Sequence, residues 1–307
     1  MSDSPALLTI DGDVAHLRLT RPAVRNALRP SDVDHLHSLL DQVGEARALV
    51  VSGEGPAFCA GRDLSDAEPL TEDAGSILRD IYNPLLRRVR HLRFPTFAAV
   101  HGPCLGVGLG LALACDVVVV AEDAKLGSPF ARIGAVLDSG GHHHLVRRLG
   151  EHRALELSYT GRLLSGAEAA AWGLVNRAVP AADLLDGVLA EAARVAAGPT
   201  QAFRLSKALV LRVADEAMSL DDVLDAEADA QAHASRTPDY AEGITAFQEK
   251  RQPMFTGAES TSTNAADGGD QVGDAICPRC AGTGRTDDGT CGECGGTGVR
   301  EELVGDA

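Results

Sequence analysis

The chain has 307 residues, 45% of them hydrophobic, and a formal net charge of −16. This length accommodates one large domain or two with a substantial core, and the negative charge disfavours nucleic acids and anionic membranes as partners. Because no apolar run is long enough to cross a bilayer and the first residues lack the features of a signal peptide, we expect a cytoplasmic protein.

The first part of the chain alternates predicted strands and helices. Apolar runs predict strands at residues 6–10, 14–20, 47–52, 97–100 and 117–121, and the first two are joined by the hairpin signal Asp-Gly-Asp. Ser31 is expected to cap a helix that reaches Val43, and a longer helix is expected over residues 71–92. Alternation of this kind predicts an α/β fold.

From Ala181 to about Lys250 the pattern is only helical. The predicted helices cover residues 181–197, 200–213, 219–235 and 239–251, which indicates a second lobe or an oligomer-forming module. Residues 257–276 lack aromatic residues and apolar periodicity, so we predict a disordered linker there. The linker separates a domain of residues 1–256 from a cysteine-rich tail, residues 277–307.

Two glycine-bearing turns each follow a predicted buried strand. In residues 101–116, HGPCLGVGLGLALACD, the turn leads into a strong helix-forming segment. Such a turn directs unpaired backbone N–H groups and the positive end of a helix dipole at its occupant, which suits a phosphate or a developing oxyanion. The spacing G-x-G-x-x-G is absent, which disfavours a dinucleotide-binding fold. The second turn covers residues 53–64.

Six short pieces of the chain carry a family resemblance, and they occur in the family's order. They are residues 25–28 (RNAL), 58–64 (FCAGRDL), 101–116, 133–141 (IGAVLDSGG), 173–176 (GLVN) and 242–251 (EGITAFQEKR). On these pieces, residues 6–256 resemble the crotonase (enoyl-CoA hydratase/isomerase) superfamily. The resemblance implies a spiral of ββα units, a C-terminal helical region that forms trimers or pairs of trimers, and a role in fatty acid or aromatic acid metabolism.

The same resemblance implies an acyl-CoA substrate and no separate cofactor for catalysis. Family enzymes hold the thioester oxygen with two backbone N–H groups, which by motif would be those of Arg62 and Val107, although Val107 stands where Gly or Ala is common. The residues that the resemblance places at the acyl-CoA site are Arg25, Ala27, Ala60, Asp63, Leu64, Phe247 and Lys250.

The carboxylates decide between reactions within the family. Hydratases use two glutamates, and the matching places here are Gly110 and Phe130. Asp138, in the pattern Asp-Ser-Gly-Gly, is similar to the proton-shuttling aspartate of dienoyl-CoA isomerases and of the 1,2-epoxyphenylacetyl-CoA isomerase group. The resemblance therefore implies an isomerase with Asp138 as acid and base.

Three alternatives to this interpretation stay open. In the first, Asp138 serves only as a cap for the helix that follows it. In the second, the enzyme is hydratase-like and uses another acid. In the third, the domain is a catalytically weak scaffold that recruits a partner through its tail.

The tail contains two copies of C-x-x-C-x-G-x-G, with the four cysteines Cys277, Cys280, Cys291 and Cys294. Two close pairs of thiolates in a reducing compartment indicate a closed tetrahedral zinc site, which is structural and would fold only with metal bound. The repeat is similar to the zinc module of DnaJ-type chaperones and predicts a surface for a protein partner. A redox role for the pairs is the alternative.

Overall fold

A computed structural model describes residues 4–65, 67–68 and 70–259, together with the backbone of 285–286 and 289–290. The chain divides into two units, Met1–Ser260 and Thr261–Ala307. In the second unit, Arg285–Thr286 pairs in antiparallel fashion with Gly289–Thr290. The four predicted zinc ligands and nearly all of the predicted linker lie outside the described residues.

The first unit contains two sheets. Their strands are β1 (Ala6–Asp11), β2 (Val14–Leu19), β3 (Ala48–Gly53), β4 (Thr96–Val100), β5 (Pro103–Leu105), β6 (Val117–Ala121), β7 (Lys125–Gly127), β8 (Leu164–Ser165) and β9 (Arg177–Val179). The larger sheet has the order β1-β2-β3-β4-β6-β9, and the smaller has the order β5-β7-β8. Apart from the β1–β2 hairpin, the neighbours in the larger sheet are parallel.

The parallel strands are buried because their sequences are apolar on both faces. Residues 48–52 and 96–100 are buried throughout, as runs of Val, Leu and Ala require in a sheet that is covered on both sides. The short strands β5 and β7 follow directly on β4 and β6 and pair with each other. β4 and β6 are thus each continued by a short strand of the second sheet, and the chain after β5 enters a helix.

The helices of the first unit follow the predicted order. They are α1 (Pro30–Asp41), α2 (Ala74–Ile77), α3 (Asn83–Arg90), α4 (Val107–Ala114), α5 (Gly141–Leu149), α6 (Glu151–Thr160), α7 (Gly166–Trp172), α8 (Leu184–Ala196), α9 (Thr200–Asp215), α10 (Leu220–Ala234) and α11 (Pro238–Glu249). The predicted α/β alternation and the purely helical C-terminal region are both confirmed. Among the described helices, none combines the length and apolar character that crossing a membrane requires.

Two local predictions were wrong in detail. Ser31 does not cap α1, because the helix begins at Pro30 and the carboxylate of Asp32 accepts a hydrogen bond from the Arg29 N–H at 2.8 Å. The helix expected over residues 71–92 is interrupted by a π-helical turn, Leu78–Tyr82, between α2 and α3. This turn packs the Tyr82 side chain into the core, where its hydroxyl donates to the Leu28 carbonyl oxygen at 2.9 Å.

Among the C-terminal helices, α8 makes most of the contact with the larger sheet. α8 buries Leu184, Val188, Ala192 and Ala196. Lys207 of α9 pairs with Asp116 at 2.8 Å, just before β6. By contrast, α10 buries only Ala234 within the described part of the chain, and most of its surface faces outward.

Candidate active site

The two glycine-bearing turns lie side by side. The Cys59 N–H donates to the Pro103 carbonyl oxygen at 3.1 Å, and the Leu105 N–H donates to the Cys59 carbonyl oxygen at 2.9 Å. A Cβ atom added to Gly106 would lie 3.9 Å from the Gly61 Cα. The paired backbones therefore bring residues 60–62 next to residues 105–107, as the predicted oxyanion hole requires.

The backbone N–H groups of Arg62 and Val107 are both available to a ligand. Val107 is the first residue of α4, where a helix leaves its N–H groups without intrahelical acceptors. Within the part of the chain that the structure describes, neither N–H donates a hydrogen bond. The Val107 side chain is buried in the core. The dipole of α4 adds a partial positive charge at the same point.

Glycines make this close approach of the two turns feasible. Gly61 has φ +104°, and a Cβ there would lie 2.9 Å from the Leu105 carbonyl oxygen. Gly106 has φ +52° and adjoins the ring of Phe130, whose Cζ would lie 3.1 Å from an added Cβ. Side chains at either position would push the turns apart or strain the backbone.

The loop that carries Arg25 and Ala27 is fixed to the turn of residues 53–64 by three backbone hydrogen bonds, each 2.9 Å long. They run from the Ala60 N–H to the Arg25 oxygen, from the Leu28 N–H to the Gly61 oxygen, and from the Asp63 N–H to the Leu28 oxygen. The left-handed conformation of Arg25, with φ +54°, turns the chain here. The structure thus gathers the predicted residues Arg25, Ala27, Ala60 and Asp63, with Leu64 exposed beside them.

Phe247 and Lys250 lie elsewhere, at the end of α11. Lys250 ends the helix in a left-handed conformation with φ +57°, and its side chain is exposed. Phe247 is 83% exposed, so it is not a core residue. Among the described residues, neither forms a hydrogen bond or an ion pair with the two turns.

Gly110 is in contact with the segment that carries Asp138. A Cβ atom on Gly110 would lie 2.4 Å from the Ser139 carbonyl oxygen and 2.7 Å from the Ser139 Cβ. There is consequently no room at position 110 for the side chain of a glutamate. At the other position predicted to match a glutamate, the Phe130 ring packs against Gly106. Ser139 and Phe130 thus fill the space at the two positions that the sequence analysis predicted to match the glutamates of hydratases.

Asp138 supplies a half-buried carboxyl group beside these turns. Its Oδ1 atom is buried and has no hydrogen-bond partner in the described structure. Burial raises the pKa of Asp138 above its ordinary value, and the Ser139 hydroxyl and the Arg62 guanidinium offset part of this rise. The carboxylate does not cap α5, because that helix begins at Gly141 after the N-cap Gly140, without a side-chain cap.

The Arg62 side chain is held by Glu72, a residue that the sequence did not single out. Arg62 Nη2 and Glu72 Oε2 lie 2.5 Å apart. The Arg62 Nε is buried and has no acceptor among the described residues. Hydrogen bonding to Glu72 raises the pKa of Arg62, so the guanidinium stays positive. No motif predicts this pair, because Glu72 lies in an irregular segment before α2.

These features define a class of site in which two backbone N–H groups without acceptors in adjacent turns accompany one half-buried carboxyl group, a combination typical of sites that hold an oxyanion and move a proton. The enoyl-CoA hydratase/isomerase family profile matches residues 9–258. The chain belongs to the enoyl-CoA hydratase/isomerase family, and the predicted crotonase fold is thereby confirmed.

Proteins with different names are similar to this chain. The chain is 39% identical to a probable enoyl-CoA hydratase of Rhodobacter capsulatus, with 81% of this chain and 96% of that protein aligned. It is 36% identical to 1,2-epoxyphenylacetyl-CoA isomerase of Escherichia coli, with 81% of this chain and 97% of that protein aligned. The crystal structure of an enoyl-CoA hydratase from Bacillus anthracis superposes with a TM-score of 0.77 at 31% identity. The superposition covers 83% of this chain and 100% of that chain.

Proposed function

We propose that this enzyme is an acyl-CoA isomerase in which Asp138 carries a proton between two carbons of the acyl group. The observation that carries the proposal is the contact between Gly110 and Ser139. It leaves no space for the first glutamate of a hydratase pair, while Phe130 replaces the second. Similarity to a protein named 1,2-epoxyphenylacetyl-CoA isomerase supports the same assignment.

In the proposed mechanism, the thioester oxygen accepts hydrogen bonds from the N–H groups of Arg62 and Val107. Each such donor contributes roughly 3–4 kcal/mol to stabilising the enolate. The Asp138 carboxylate removes a proton from one carbon, and the neutral acid then returns the proton to another carbon. The positive charge of Arg62, fixed by Glu72, stabilises the carboxylate form that begins the cycle.

Turnover of 3-enoyl-CoA esters tests this proposal. The purified enzyme is expected to convert them to conjugated 2-enoyl esters, which absorb in the ultraviolet, or to rearrange epoxy- or oxepin-type CoA esters. Failure to isomerise any of these substrates would overturn the isomerase assignment.

Hydration is a second candidate, and one observation favours it. The Arg62 Nε and the Asp138 Oδ1 are a donor and an acceptor, both buried and without partners in the described structure. A water molecule that bridges these two atoms would have the Asp138 carboxylate as the base that activates it for addition to the substrate. The similarity to a protein named as a hydratase supports this alternative. The source of the oxygen in the product distinguishes the two reactions.

We also propose that Phe247 and Lys250 contact the nucleotide part of CoA, as the family resemblance implies. Their exposure at the end of α11 leaves both side chains accessible. Lys250→Ala is expected to raise KM about 3–10-fold without changing kcat, because it removes a contact made equally in the ground and transition states. Steady-state kinetics with CoA and pantetheine thioesters checks this. An equal rise with pantetheine esters, which lack the nucleotide, would contradict it.

The proposed assembly is a homotrimer or a hexamer built through the C-terminal helices. Large apolar side chains on these helices are exposed, among them Leu220 at 72% and Leu224 at 52%. Burying such side chains against another subunit would be favourable. Analytical ultracentrifugation is expected to show a trimer or hexamer, and a monomer at micromolar concentration would contradict this. A cytoplasmic location, also proposed, agrees with the chain's cysteine usage.

For the tail, we propose a structural zinc ion bound by Cys277, Cys280, Cys291 and Cys294. We also propose that the folded tail binds a protein partner. The sequence supports this through the paired C-x-x-C spacing. Metal analysis of the reduced full-length protein is expected to give roughly one zinc per chain, and Cys280→Ser with Cys294→Ser to remove it. Absence of zinc from the wild-type protein would disprove the site.

A further inference from the structure

The side chain of Phe130 reaches the backbone of the predicted oxyanion hole and takes no part in the proton transfer described above. A Cβ atom added to Gly106 would lie 3.1 Å from the Phe130 Cζ, 3.3 Å from its Cε1 and 3.9 Å from the Gly61 Cα. Gly106 directly precedes Val107, whose N–H is one of the two proposed donors. The tip of the ring therefore lies beside the place where the thioester oxygen is proposed to bind.

The ring and the segment that carries the proposed base contact the same end of α4. The Gly110 N–H donates to the Gly106 carbonyl oxygen at 3.0 Å, so the two glycines lie one helical turn apart. Phe130 packs against the first glycine, and Ser139 packs against the second. Because Asp138 directly precedes Ser139, the aromatic ring and the carboxyl group belong to segments that flank one turn of α4.

The backbone around Phe130 is fixed, so the ring has a defined position. The Gly134 N–H and the Ala135 N–H both donate to the Phe130 carbonyl oxygen, the second at 3.0 Å. Pro129 packs against the end of α6, where a Cβ atom added to Gly161 would lie 3.3 Å from the Pro129 Cα. The Phe130 side chain packs against the core but remains partly exposed. Part of the ring is thus left uncovered by the described residues.

A phenyl ring can neither bind nor activate a water molecule. It lacks the hydrogen-bonding atoms of a carboxylate, the group predicted for this position in hydratases. The Asp138 Oδ1 is buried and has no partner in the described structure, so this side of the carboxyl group is also shielded from solvent. An apolar ring beside the donors and a shielded acid favour a site without water, in which a reactive intermediate is protected from side reactions.

We propose that Phe130 determines the reaction specificity of this enzyme, because its ring keeps water away from the enolate. The inference rests on the proposed isomerase function and extends it. The C2–H bond of a 3-enoyl ester breaks, and its proton goes to the Asp138 carboxylate. Without water, the neutral acid does not exchange this proton with solvent. The same proton then forms the new C4–H bond, while the double bond moves from C3–C4 to C2–C3.

The exclusion of water also prevents a second reaction. A water molecule that reached the 2-enoyl product would add across its double bond, with the hydroxyl group on C3 and a proton on C2. Asp138 would take the proton from water and return one to C2. Phe130 therefore separates isomerisation from hydration at a single carboxylate.

Phe130→Gln tests this role, because glutamine admits water without supplying a new acid or base. Hydration of 2-enoyl-CoA esters is followed directly by the loss of their ultraviolet absorbance. We expect Phe130→Gln to hydrate these esters about tenfold faster than the wild type, since a polar side chain no longer excludes water. Adding Asp138→Asn is expected to abolish the gained activity, because Asp138 is the base that the admitted water meets.

Esters of 3-enoyl-CoA with deuterium at C2 supply a second readout. The wild type is expected to carry the label to C4 in most product molecules, and Phe130→Gln to lose most of it to solvent. Phe130→Leu keeps an apolar side chain and should carry the label as the wild type does. Because the readout is a ratio within the product, the fraction of folded enzyme does not affect it.

Phe203→Gln is the matched control. The partly exposed Phe203 ring also packs against a glycine, since a Cβ atom added to Gly198, between α8 and α9, would lie 2.6 Å from its Cε2. Removing this ring should leave both readouts unchanged. Equal hydration rates for Phe130→Gln and the wild type would overturn the inference.

Failure of the inference and failure of the isomerase assignment give different results. Isomerisation by the wild type with loss of the label to solvent would overturn the role of Phe130 and leave the isomerase assignment intact. A wild type that isomerises nothing would refute the isomerase assignment. In that case, a gain of hydration in Phe130→Gln that requires Asp138 would still support the exclusion of water by Phe130, and no gain would overturn it.

Discussion

Asp138→Asn is expected to lower kcat for isomerisation by about 10²–10⁴-fold, the usual contribution of a general acid or base. Asparagine keeps the shape of the carboxyl group but cannot accept and return a proton. Binding of acyl-CoA should be little changed, because the N–H groups of Arg62 and Val107 remain in place. Asp186→Asn, an exposed substitution on α8, is the matched control and should leave kcat unchanged.

The pH dependence follows from the burial of this carboxyl group. The reaction begins with the carboxylate, and burial raises the pKa of Asp138. We therefore expect kcat/KM to fall as the pH decreases through an apparent pKa that lies above the ordinary aspartate value. The residual activity of Asp138→Asn should lack this acidic limb. An unchanged limb in the variant would show that another group titrates.

The same substitution is expected to stabilise the folded enzyme at neutral pH. Since the pKa is higher in the folded state, the folded chain binds more protons, and the free energy of unfolding falls as the pH rises through that pKa. Asparagine has no charge to bury, so the variant does not lose free energy of unfolding in this way as the pH rises. Urea unfolding should show the variant more stable than wild type at pH 7 and the difference vanishing below the aspartate pKa of the unfolded chain. A destabilised variant at pH 7 would contradict the burial argument.

Gly110→Ala is expected to damage both stability and activity. The added Cβ would lie 2.4 Å from the Ser139 carbonyl oxygen, so the backbone of residues 138–139 must move. Overpacking of this kind typically lowers the free energy of unfolding by about 1–3 kcal/mol. Because Asp138 is the adjacent residue, we also expect kcat to fall by more than tenfold. Gly110→Glu should likewise fail to create hydratase activity, although it restores the acid that hydratases carry there.

Gly187→Ala provides the matched control for this prediction. Gly187 lies in α8, and an added Cβ would have nothing within 4 Å. Alanine is the better helix former, so this variant should be about 0.5–1 kcal/mol more stable and fully active. Chemical denaturation and steady-state kinetics of both variants check the pair. If Gly110→Ala were as stable and active as the control, the contact with Ser139 would not position Asp138.

Much of the fold could be predicted because local patterns and burial agree. The apolar runs of β3, β4 and β6 and the 3.6-residue periodicity of α8 to α11 place these elements within a few residues of their observed ends. The motifs around Arg62 and Val107 likewise predicted that two turns would converge, and the Cys59–Leu105 hydrogen bond brings them together. These features depend on residues close in sequence or on motifs with a fixed backbone geometry.

The remaining features depend on contacts between distant residues. The sequence shows that position 110 is a glycine and not a glutamate. That Ser139 packs against Gly110 is a tertiary contact, which the sequence pattern does not predict. The ion pair between Arg62 and Glu72 could not be predicted, because Glu72 lies in an irregular segment that carries no motif. Arg90 and Asp215 meet across 125 positions, and only the folded chain reveals the cavity that they border.

The fate of water oxygen tests the central claim most directly. Purified wild-type enzyme would be incubated with 3-enoyl- and 2-enoyl-CoA esters in water enriched in heavy oxygen, and the products analysed by mass spectrometry. Transfer of a proton by a single carboxylate predicts products of the same mass as the substrates, with no heavy oxygen incorporated. A labelled product heavier by one water molecule, formed as fast as or faster than any isomer, would contradict this account and assign the enzyme as a hydratase.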